Sequence, residues 1–465
     1  MGMDTTFRLG NLGRHGYHFG LLDSRHQVRF WKLVSEHAHA VNALVSGLSA
    51  LPGTARPMAA TRAMTRFVNH DEIPFHALIE PAVDAIRAAL AEASGWFALV
   101  VHDWCMFNFN AHTSKRDRYR RSHDADSGYE LGSALVVDAT DGRPLGPAEF
   151  RLRTADAMLS TRVGGAALPP GHVDELDDVM AASGAWFLRR TPVHVIDREA
   201  DSVGHYRRWH AAGHRFLVRA DSQRVVLHGD RQCKLADVVV GLAEEFTDVR
   251  DAMGQPEMVT IREGTGRIRV AEAAVVLHRP ARHNTGEKTA GGHKRKLDVP
   301  GPPLPLRMVV TQAVSATGTV LAEWWLLTNV TAPQSSAATI GRWYSWRWRI
   351  ESYHKLLKSA GMNAEAWQQE TGPAFVRRLC VASMACLTVW HLQRDESPAA
   401  AQLRIALVRL SGRQMKHRVE STAPALLAGL ERLLAIDDLM QVMDLDEVLA
   451  LARRQLPRLF PNFSG

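Results

Sequence analysis

Val193-His-Val-Ile-Asp-Arg-Glu-Ala-Asp201 is the stretch that decides the fold of this 465-residue chain. Its apolar run, Val193 to Ile196, predicts a buried strand that ends at Asp197. A helical segment follows from Glu199 to Ala211, and Phe216 to Arg219 predicts the next strand. Strands that alternate with helices in this way favour an α/β sheet.

Upstream, three apolar segments predict strands that follow one another without a helix between them. They are Phe97 to Val101, which ends at His102-Asp103, Leu131 to Val137, and Phe150 to Arg153. We expect these strands to form a meander. A helical stretch near Asp174 to Phe187 then leads to the strand that precedes Asp197, so the whole region predicts a mixed α/β sheet.

The pattern of the sequence divides the chain into three predicted domains. Residues 29–92 are mostly helical in periodicity, with Val83, Ile86 and Leu90 at i, i+3, i+7 spacing, and residues 1–94 therefore predict an N-terminal helical domain. Residues 95–372 form the predicted α/β domain, in which 220–335 returns to strand-like segments and is interpreted as an all-β insertion. From Ser335 the chain is helical again, and residues 373–465 predict a C-terminal helical domain.

The charge of the chain is positive and is concentrated in the predicted insertion. Lys and Arg number 56 against 49 Asp and Glu, a formal net charge of +7. Residues 261–296 carry nine Lys or Arg and three Glu, a local charge of +6. An excess of basic residues favours an acidic partner such as nucleic acid. Arg267 and Arg269 are therefore candidates for contacts to a DNA backbone, with a solvated charged loop as the alternative.

The cysteines and the hydropathy argue against several classes of protein. The four cysteines show no CxxC and no Cys/His ligand spacing, which argues against a zinc site and a disulfide framework. No run of about 18 apolar residues and no signal peptide is visible. We therefore expect a cytoplasmic protein without a membrane partner.

A second informative stretch is Tyr344-Ser-Trp-Arg-Trp-Arg-Ile-Glu-Ser-Tyr-His-Lys-Leu-Leu-Lys358. Projected on one helix at about 100° per residue, its polar side chains gather on one face. These side chains are Tyr344, Arg347, Glu351, Lys355 and Lys358. The face is either solvated and held by i, i+4 ion pairs, or it is a site. In a site, the carboxylate would hold a divalent cation and the basic side chains would hold phosphate oxygens.

A metal site needs more than one carboxylate, and two aspartates follow predicted strands. Asp103 and Asp197 each stand at the C-terminal end of an apolar run, where ligands gather in open α/β sheets. Each of them alone is equally well explained as a turn or helix cap. Together with Glu351 they offer the oxygen ligands that Mg²⁺ prefers. Asp138, which follows another predicted strand, is the reserve candidate.

The spacing Y-x₂-R-x₃-E-x₆-K is matched at each position by Tyr344, Arg347, Glu351 and Lys358. This segment resembles the motif of the insertion-sequence-four family of bacterial DDE transposases. Val195-Ile-Asp-Arg-Glu-Ala-Asp201 resembles the second-aspartate (DREAD) motif of the same family. The resemblance extends over roughly residues 60 to 395.

The resemblance implies an RNase H-like catalytic domain in a cut-and-paste DNA transposase. The residues that would bind the metal are Asp103, Asp197 and Glu351, and the implied cofactor is Mg²⁺ or Mn²⁺, as two ions. The residues that would contact phosphates of the transposon ends are Tyr344, Arg347 and Lys358. We also expect DNA contacts from Lys355 and Arg219.

The resemblance also implies the partners. These are double-stranded transposon ends and target DNA, with two copies of the chain paired on DNA as a homodimer and with the N-terminal domain recognising the ends. Trp324 is similar to the tryptophan that, in hairpin-forming relatives, stacks in the gap left by a flipped base. The alternatives are that Trp325 has this role or that Trp324 packs in the core.

The sequence also departs from the family pattern at one point. Trp104 and Cys105 follow Asp103 where many relatives carry small hydroxyl residues, so Asp103 is supported by its strand placement alone. Glu199 and Asp201 are interpreted as residues of a helix start rather than as ligands. Two other functions stay open: an RNase H-like nuclease that cuts DNA without joining it, and an inactive DNA-binding regulator of transposition.

Overall fold

Most strands of the chain hydrogen-bond into one large mixed sheet, as the sequence predicted. A computed structural model describes residues 22–39, 57–120, 126–162, 171–186, 188–261, 263–288, 294–415 and 419–456. Within these residues the sheet has 14 strands, and helices from both ends of the chain pack against it. Residues 1–21 of the predicted N-terminal domain and Phe187 of a predicted helix lie outside the described residues.

Three helices precede the sheet, in the region where the apolar periodicity predicted them. They are α1 (Ser24–His39), α2 (Pro57–Val68) and α3 (Phe75–Glu92). The apolar stripe Val83, Ile86 and Leu90 of α3 is fully buried and belongs to one cluster with Ala98 and Val100 of the sheet. The i, i+3, i+7 spacing therefore identified the face of α3 that packs on the strands.

The predicted meander forms one side of the sheet. Its strands are β1 (Phe97–Asn108), β2 (Tyr119–Arg120), β3 (Ser127–Asp138), β4 (Pro144–Arg153) and β5 (Met158–Ser160), all in antiparallel pairs. β1 is longer than predicted, because it stays paired with β3 as far as Asn108. Asp103 therefore lies inside β1, which corrects the prediction that it ends the strand. The polar residues after Val101 hid this continuation.

The predicted β-α-β unit adds two parallel strands to β1. After α4 (Glu175–Ser183), β6 (Thr191–Ile196) pairs with β1, α5 (Val203–Ala211) follows, and β7 (Arg215–Ala220) pairs with β6. The predicted helix start at Glu199 is wrong, because residues 198–200 form a single 3₁₀ turn and the α-helix begins at Val203. Of the strands β1 to β7, the five longest lie side by side in the order β4-β3-β1-β6-β7.

The segment interpreted as an insertion continues the same sheet beyond β7. Its strands are β8 (Val225–His228), β9 (Arg231–Lys234), β10 (Thr247–Asp248), β11 (Met258–Ile261), β12 (Gly264–Leu277), β13 (Ala281–Lys288), β14 (Lys294–Val299), β15 (Leu304–Val314) and β16 (Val320–Thr328). β16 pairs with β7, and the order continues β16-β15-β12-β8-β9, whereas β13 and β14 form a separate ribbon. The segment is not purely β, because α6 (Leu235–Gly241) follows β9.

The stretch projected as one helix from Tyr344 to Lys358 is two helices. α7 (Ala337–Ser345) ends and α8 (Trp348–Leu357) begins with Trp346 and Arg347 between them. The single-helix projection is therefore wrong, and Tyr344 is buried rather than placed on a polar outer face.

The break between α7 and α8 is held against the turn that joins β3 to β4. Trp343 Nε1 donates to the Ala139 carbonyl at 2.8 Å, and Arg349 Nε donates to the Gly142 carbonyl at 3.2 Å. Gly142 has φ +74°, and a Cβ there would lie 2.4 Å from the Trp346 ring. The turn thus needs glycine both for its backbone conformation and for the close approach of the indole.

Helices again form the end of the chain. They are α9 (Gly372–Arg394), α10 (Pro398–Ser411), α11 (Ala423–Met440) and α12 (Leu445–Gln455). Among the described helices, α9 is the one whose length and apolar composition would suffice to cross a membrane, but 89% of its apolar window is buried inside the protein. It packs on α1, α3 and β4 and so joins the helices of both chain ends in one core. The division into domains at 94/95 and 372/373 stays a prediction.

Gly142→Ala is expected to destabilise the protein more than Gly213→Ala. Both glycines have positive φ, +74° and +80°, so alanine strains the backbone at each by about 1–2 kcal/mol. At Gly213 a Cβ would have no heavy atom within 4 Å. At Gly142 the clash with Trp346 adds about 1–3 kcal/mol of overpacking. Free energies of unfolding in urea measure the difference; equal losses would show that this turn does not hold the helix break.

Candidate active site

The pairing of β1 with β6 places two aspartates opposite each other. The parallel register aligns Val101 with Val195. Continued for two residues, the same register sets Asp103 opposite Asp197. Asp103 therefore lies next to Asp197 because their strands pair in this register, and not because both residues end a strand.

The two aspartates also share the same local geometry. Asp103 Oδ1 accepts a hydrogen bond from the Trp104 amide at 2.9 Å, and Asp197 Oδ1 accepts one from the Arg198 amide at 2.7 Å. Each carboxylate is fixed through one oxygen, which leaves its Oδ2 to face the space between the strands and α8.

Arg347 contacts all three predicted carboxylates. Its Nη1 lies 3.5 Å from Asp103 Oδ2, and its Nη2 lies 3.7 Å from Asp197 Oδ2 and 2.8 Å from Glu351 Oε1. Glu351 stands in the first turn of α8, four residues after Arg347, so the helix break sets both side chains toward the strands. The structure thus brings Asp103, Asp197 and Glu351 together around one guanidinium.

Tyr344 and Arg347, which the resemblance assigned to DNA phosphates, are both buried. Their exposed fractions are 2% and 3%. Tyr344 Oη donates to Asp197 Oδ1 at 3.0 Å, and the rings of Tyr344 and Trp348 lie 6.0 Å and 5.0 Å from the Arg347 Cζ. In this arrangement both side chains are engaged with carboxylates of the protein itself.

The charges around the site affect its ionisable groups unequally. Burial raises the pKa of Asp103 to about 6, with Arg347 opposing the shift. Burial also acts to raise the pKa of Asp197, but Arg347, the Arg198 amide and Arg219 together lower it below its ordinary value. Burial would lower the pKa of Arg347, yet the neighbouring phenol and carboxylates raise it, so the guanidinium stays charged.

The donor set suits a hard divalent cation, because it consists of three carboxylates. Within the described residues, however, no three His, Cys, Asp or Glu side chains are grouped closely enough to hold a metal ion as they stand. The contacts give the reason: the Arg347 guanidinium lies between oxygens that would have to converge. The three carboxylates are suitable ligands for such an ion. In this structure the Arg347 guanidinium occupies the position that the ion would take.

Asp138, the reserve candidate, is not brought to this site. It pairs with Ala98 in the ladder between β1 and β3, five residues before Asp103 on β1. At about 3.4 Å per residue that separation is roughly 17 Å. The Asp138 carboxylate instead accepts a hydrogen bond from the Thr140 amide at 2.8 Å and caps the turn.

Asp201, the last acidic residue of the DREAD segment, has structural partners. Asp201 is buried, accepts a hydrogen bond from Tyr206 Oη at 3.0 Å and pairs with Arg224 at 2.9 Å. It also accepts the Asp221 amide at 2.9 Å. Asp201 therefore ties the start of α5 to the loop after β7, away from the Arg347 contacts.

Three predicted DNA-binding cations lie near the carboxylates: Arg219 is on β7, next to β6, and Lys355 and Lys358 are in and directly after α8. Arg219 Nη1 is 3.5 Å from Asp197 Oδ1. Lys358 donates to the Met106 carbonyl at 2.7 Å and is half-buried. Lys355 is exposed one turn after Glu351 on α8. These side chains bring positive charge near the carboxylates, although the Lys358 ammonium is also paired with Glu365 Oε1 at 3.0 Å.

The other predicted DNA contacts lie on the strands beyond β7. Arg267 Nε is 3.3 Å from Asp248 Oδ1, and the Arg269 Cζ lies 5.0 Å from the centre of the Phe246 ring. Both are on β12, three to four strands from Asp197. Their contact with DNA stays a prediction.

Trp324 and Trp325 point to opposite faces of β16, as strand geometry requires. Trp324 is 8% exposed, and its ring centre lies 6.5 Å from that of Tyr344, on the side of the sheet that carries α7. Trp325 is half-buried against the cluster on the other face. Trp324 is thus the one of the pair that neighbours the site, and its stacking role stays a prediction.

One cluster beside the site was missed by sequence reasoning. Trp104, the residue that departs from the family pattern, stacks on His172 with ring centres 4.7 Å apart. His172 Nε2 lies 3.0 Å from Glu199 Oε2, and Nδ1 lies 3.6 Å from Glu130 Oε1. The stack therefore connects the residues next to Asp103 and Asp197. No spacing signal announces it, because its members come from four separate segments.

Comparison with family models finds a match over part of the chain. Residues 171–388 match the family model described as transposase DDE domain. The matched segment contains Asp197 and Glu351 and begins after Asp103. This match supports a DNA transposase function.

A search of curated proteins finds no match. Among solved structures, the chain is similar to a piggyBac transposase in a synaptic complex with hairpin DNA, determined by cryo-EM. The two share 8% identity with a TM-score of 0.35, and the similarity covers 95% of this chain and 77% of the other.

His172→Gln is expected to cost stability in a pH-dependent way. The carboxylates of Glu130 and Glu199 raise the pKa of His172 to about 9. A pKa raised above the unfolded value of 6.5 stabilises the fold fully below 6.5, and this contribution is lost as the pH rises through about 9. The difference between wild type and variant in free energy of unfolding, on the order of 2 kcal/mol, should shrink over that range.

His205→Gln is the matched control, since His205 also pairs with a carboxylate, that of Asp174, at 3.0 Å. Burial lowers the pKa of His205, so its contribution changes below 6.5 and stays constant above it. Urea denaturation at several pH values measures both variants. If the difference in free energy of unfolding between wild type and His172→Gln stayed constant between pH 6.5 and 9, His172 would not be the protonated imidazolium described here.

Proposed function

We propose that this protein is a cut-and-paste DNA transposase, which cleaves DNA strands at transposon ends and joins them to target DNA. The observation that carries the proposal is the convergence of Asp103, Asp197 and Glu351 on one guanidinium. Two of these carboxylates lie inside the segment that matches the transposase DDE domain.

The proposal includes an RNase H-like catalytic core, made of the strands β4-β3-β1-β6-β7. Its support is topological: a three-stranded meander is extended by two parallel strands, and the carboxylates come from the two neighbours β1 and β6. The third carboxylate arrives on α8, after the strands that extend the sheet. A site assembled from two adjacent strands and one helix suits a reaction on an extended phosphodiester, because it is open on one side.

Membership in the insertion-sequence-four family is part of the same proposal. Its support is that Tyr344, Arg347 and Glu351 meet around Asp197 although the helix is broken between them. The motif spacing therefore has a geometric basis here. Tyr344 and Arg347 reach the carboxylates from the end of α7 and the break, and Glu351 reaches them from the first turn of α8.

Asp103, Asp197 and Glu351 are the residues that would hold Mg²⁺ or Mn²⁺, as two ions. Such ions, when bound, activate an attacking oxygen and stabilise the leaving oxygen at a phosphodiester. The chain's own residues orient the ligands: backbone amides fix the Oδ1 atoms of both aspartates, and Tyr344 Oη adds a second donor on Asp197. Fixed carboxylates require less reorganisation when the charge of the reaction develops.

DNA contacts are proposed for the cations around the opening of the site. Lys355 is exposed on α8, and Arg219 and Lys358 are partly exposed next to the carboxylates. Such contacts position a duplex through its phosphates without reading its sequence. Arg267 and Arg269 are proposed as further phosphate contacts on β12, which is separated from β6 by three strands.

Action on two transposon ends requires two copies of the chain, and we propose a homodimer on DNA. Large apolar side chains are exposed on and beside the C-terminal helices; they are Met440, Val442, Met443, Leu451 and Leu456. Exposed apolar patches of this kind are typical of surfaces that bind another protein. Light scattering with and without end DNA tests the dimer, and a monomer in both conditions would contradict it.

The carboxylate variants Asp103→Asn, Asp197→Asn and Glu351→Gln are expected to lose strand cleavage. Each keeps the shape of the side chain but removes one anionic ligand, at a cost of roughly 4 kcal/mol in transition-state stabilisation, about a thousandfold in rate. The assay uses DNA that carries both ends of the element encoding the chain, a target plasmid and Mg²⁺. Cleaved and joined products are separated on a gel.

Asp138→Asn is the matched control, because it changes a strand-associated aspartate at the far side of the same ladder. We expect it to leave cleavage within about twofold of wild type, because Asn keeps the Oδ1 that accepts the Thr140 amide and the position lies roughly 17 Å from the site along the strands. Cleavage without joined product would assign the protein to the nucleases. Unchanged cleavage in Asp197→Asn and Glu351→Gln would overturn the catalytic role of the site.

A further inference from the structure

The oxygens that face Arg347 are those that the backbone leaves free. In Asp103 and Asp197 the Oδ1 atoms accept backbone amides, whereas the Oδ2 atoms face the guanidinium at 3.5 Å and 3.7 Å. Glu351 contributes Oε1 at 2.8 Å. A divalent cation bound by these three carboxylates would need the same oxygens. The guanidinium and such a cation therefore compete for one place.

The guanidinium is held mainly by charge and only partly by hydrogen bonds. Contacts of 3.5 Å and 3.7 Å are longer than charge-assisted hydrogen bonds, which are about 2.7–2.9 Å. Within the described residues, Arg347 Nε is also buried without a hydrogen-bond partner. A side chain that satisfies one of three carboxylates closely and leaves a buried donor unpaired is stabilised as a counter-ion and is poorly fitted as a permanent structural link.

An exposed aromatic ring lies next to the guanidinium. Its Cζ is 5.0 Å from the ring of Trp348, which is 45% exposed at the start of α8. Arginine stacks favourably on such rings, and its planar fork binds phosphate in a bidentate manner. The exposed Lys355 and the partly exposed Arg219 lie on the neighbouring turns and strand. A guanidinium that leaves the carboxylates would enter a surface already suited to phosphates.

We propose that Arg347 is the resident cation of the carboxylate site, that a divalent cation replaces it, and that the released guanidinium then binds a DNA phosphate. The first part rests on the contacts above, and the phosphate part rests on the proposed transposase function. The consequence is that metal binding and DNA binding favour each other by the same factor. Without the cation, Arg347 occupies the site and is withheld from DNA.

Mn²⁺ binding tests the exchange without any reaction. Titration calorimetry of Arg347→Gln should show Mn²⁺ binding roughly tenfold tighter than wild type, within the usual range of coupling between competing or cooperating ligands. Arg219→Gln is the matched control, because Arg219 is a cation beside Asp197 that contacts Oδ1 and not Oδ2. We expect a smaller gain in Mn²⁺ affinity from Arg219→Gln, since this variant removes a positive charge but leaves Arg347 in the position that the cation needs.

Two results would overturn the exchange. One is Mn²⁺ binding by Arg347→Gln that is equal to or weaker than wild type, which would mean that Arg347 assembles the ligands. The other is a gain no larger than that of Arg219→Gln, which would reduce the effect to general electrostatics. Circular dichroism verifies folding of both variants. If Arg347→Gln does not fold, Arg347→Lys replaces it, and the compact ammonium, which cannot span three carboxylates, should still give tighter Mn²⁺ binding than wild type.

DNA binding tests the release of the guanidinium. Fluorescence anisotropy with a labelled duplex of arbitrary sequence is measured in Ca²⁺ and in EDTA. Wild type should bind roughly tenfold more tightly in Ca²⁺, whereas Arg347→Gln should lose this dependence on the ion. Tighter Mn²⁺ binding by Arg347→Gln together with an unchanged Ca²⁺ effect on DNA would overturn the release to phosphate. Failure of the transposase proposal would show separately, as normal cation exchange without cleavage of end DNA.

Discussion

The ion pairs of the Arg347 guanidinium with Asp103, Asp197 and Glu351 connect three segments that are far apart in the chain. One is the middle of β1, one is the end of β6, and one is the start of α8. Three carboxylates so close together repel one another, and a buried positive charge is the simplest way to keep them within reach of one point. The surrounding elements place this charge between the carboxylates.

The position of the Arg347 side chain depends on the break between α7 and α8. A continuous helix would carry Arg347 and Glu351 on one straight face, whereas the break turns the arginine inward and leaves Glu351 in a first turn. The break is itself fixed by the β3–β4 turn, through the approach of Trp346 to Gly142 and the hydrogen bond from Trp343 to Ala139. A turn about 17 Å from the carboxylates along the strands thus takes part in shaping their surroundings.

Much of this was visible in the sequence, and the misses have physical causes. Apolar periodicity located the helices of residues 29–92, the meander and the β-α-β unit, because burial of one face is a local property. The extent of β1 was missed because hydrogen bonding to β3 continues where the side chains turn polar. The helix break was missed because nothing in the propensity of Trp346 and Arg347 ends a helix; packing on Gly142 does. The stack of Trp104 on His172 has no local signal at all, since it exists only once the segments are folded together.

The strands between β7 and α7 have a further consequence for the domain as a unit. Because β16 pairs with β7 and is followed by β15, β12 and β8, these strands cover what would be the open edge of the catalytic sheet. A shortened protein in which β7 is joined directly to α7 would present the unpaired amides and carbonyls of β7 to solvent, next to Asp197. Such bare edges recruit strands from other molecules. A minimal fragment that carries the carboxylate site therefore has to keep at least β16, the strand that pairs with this edge.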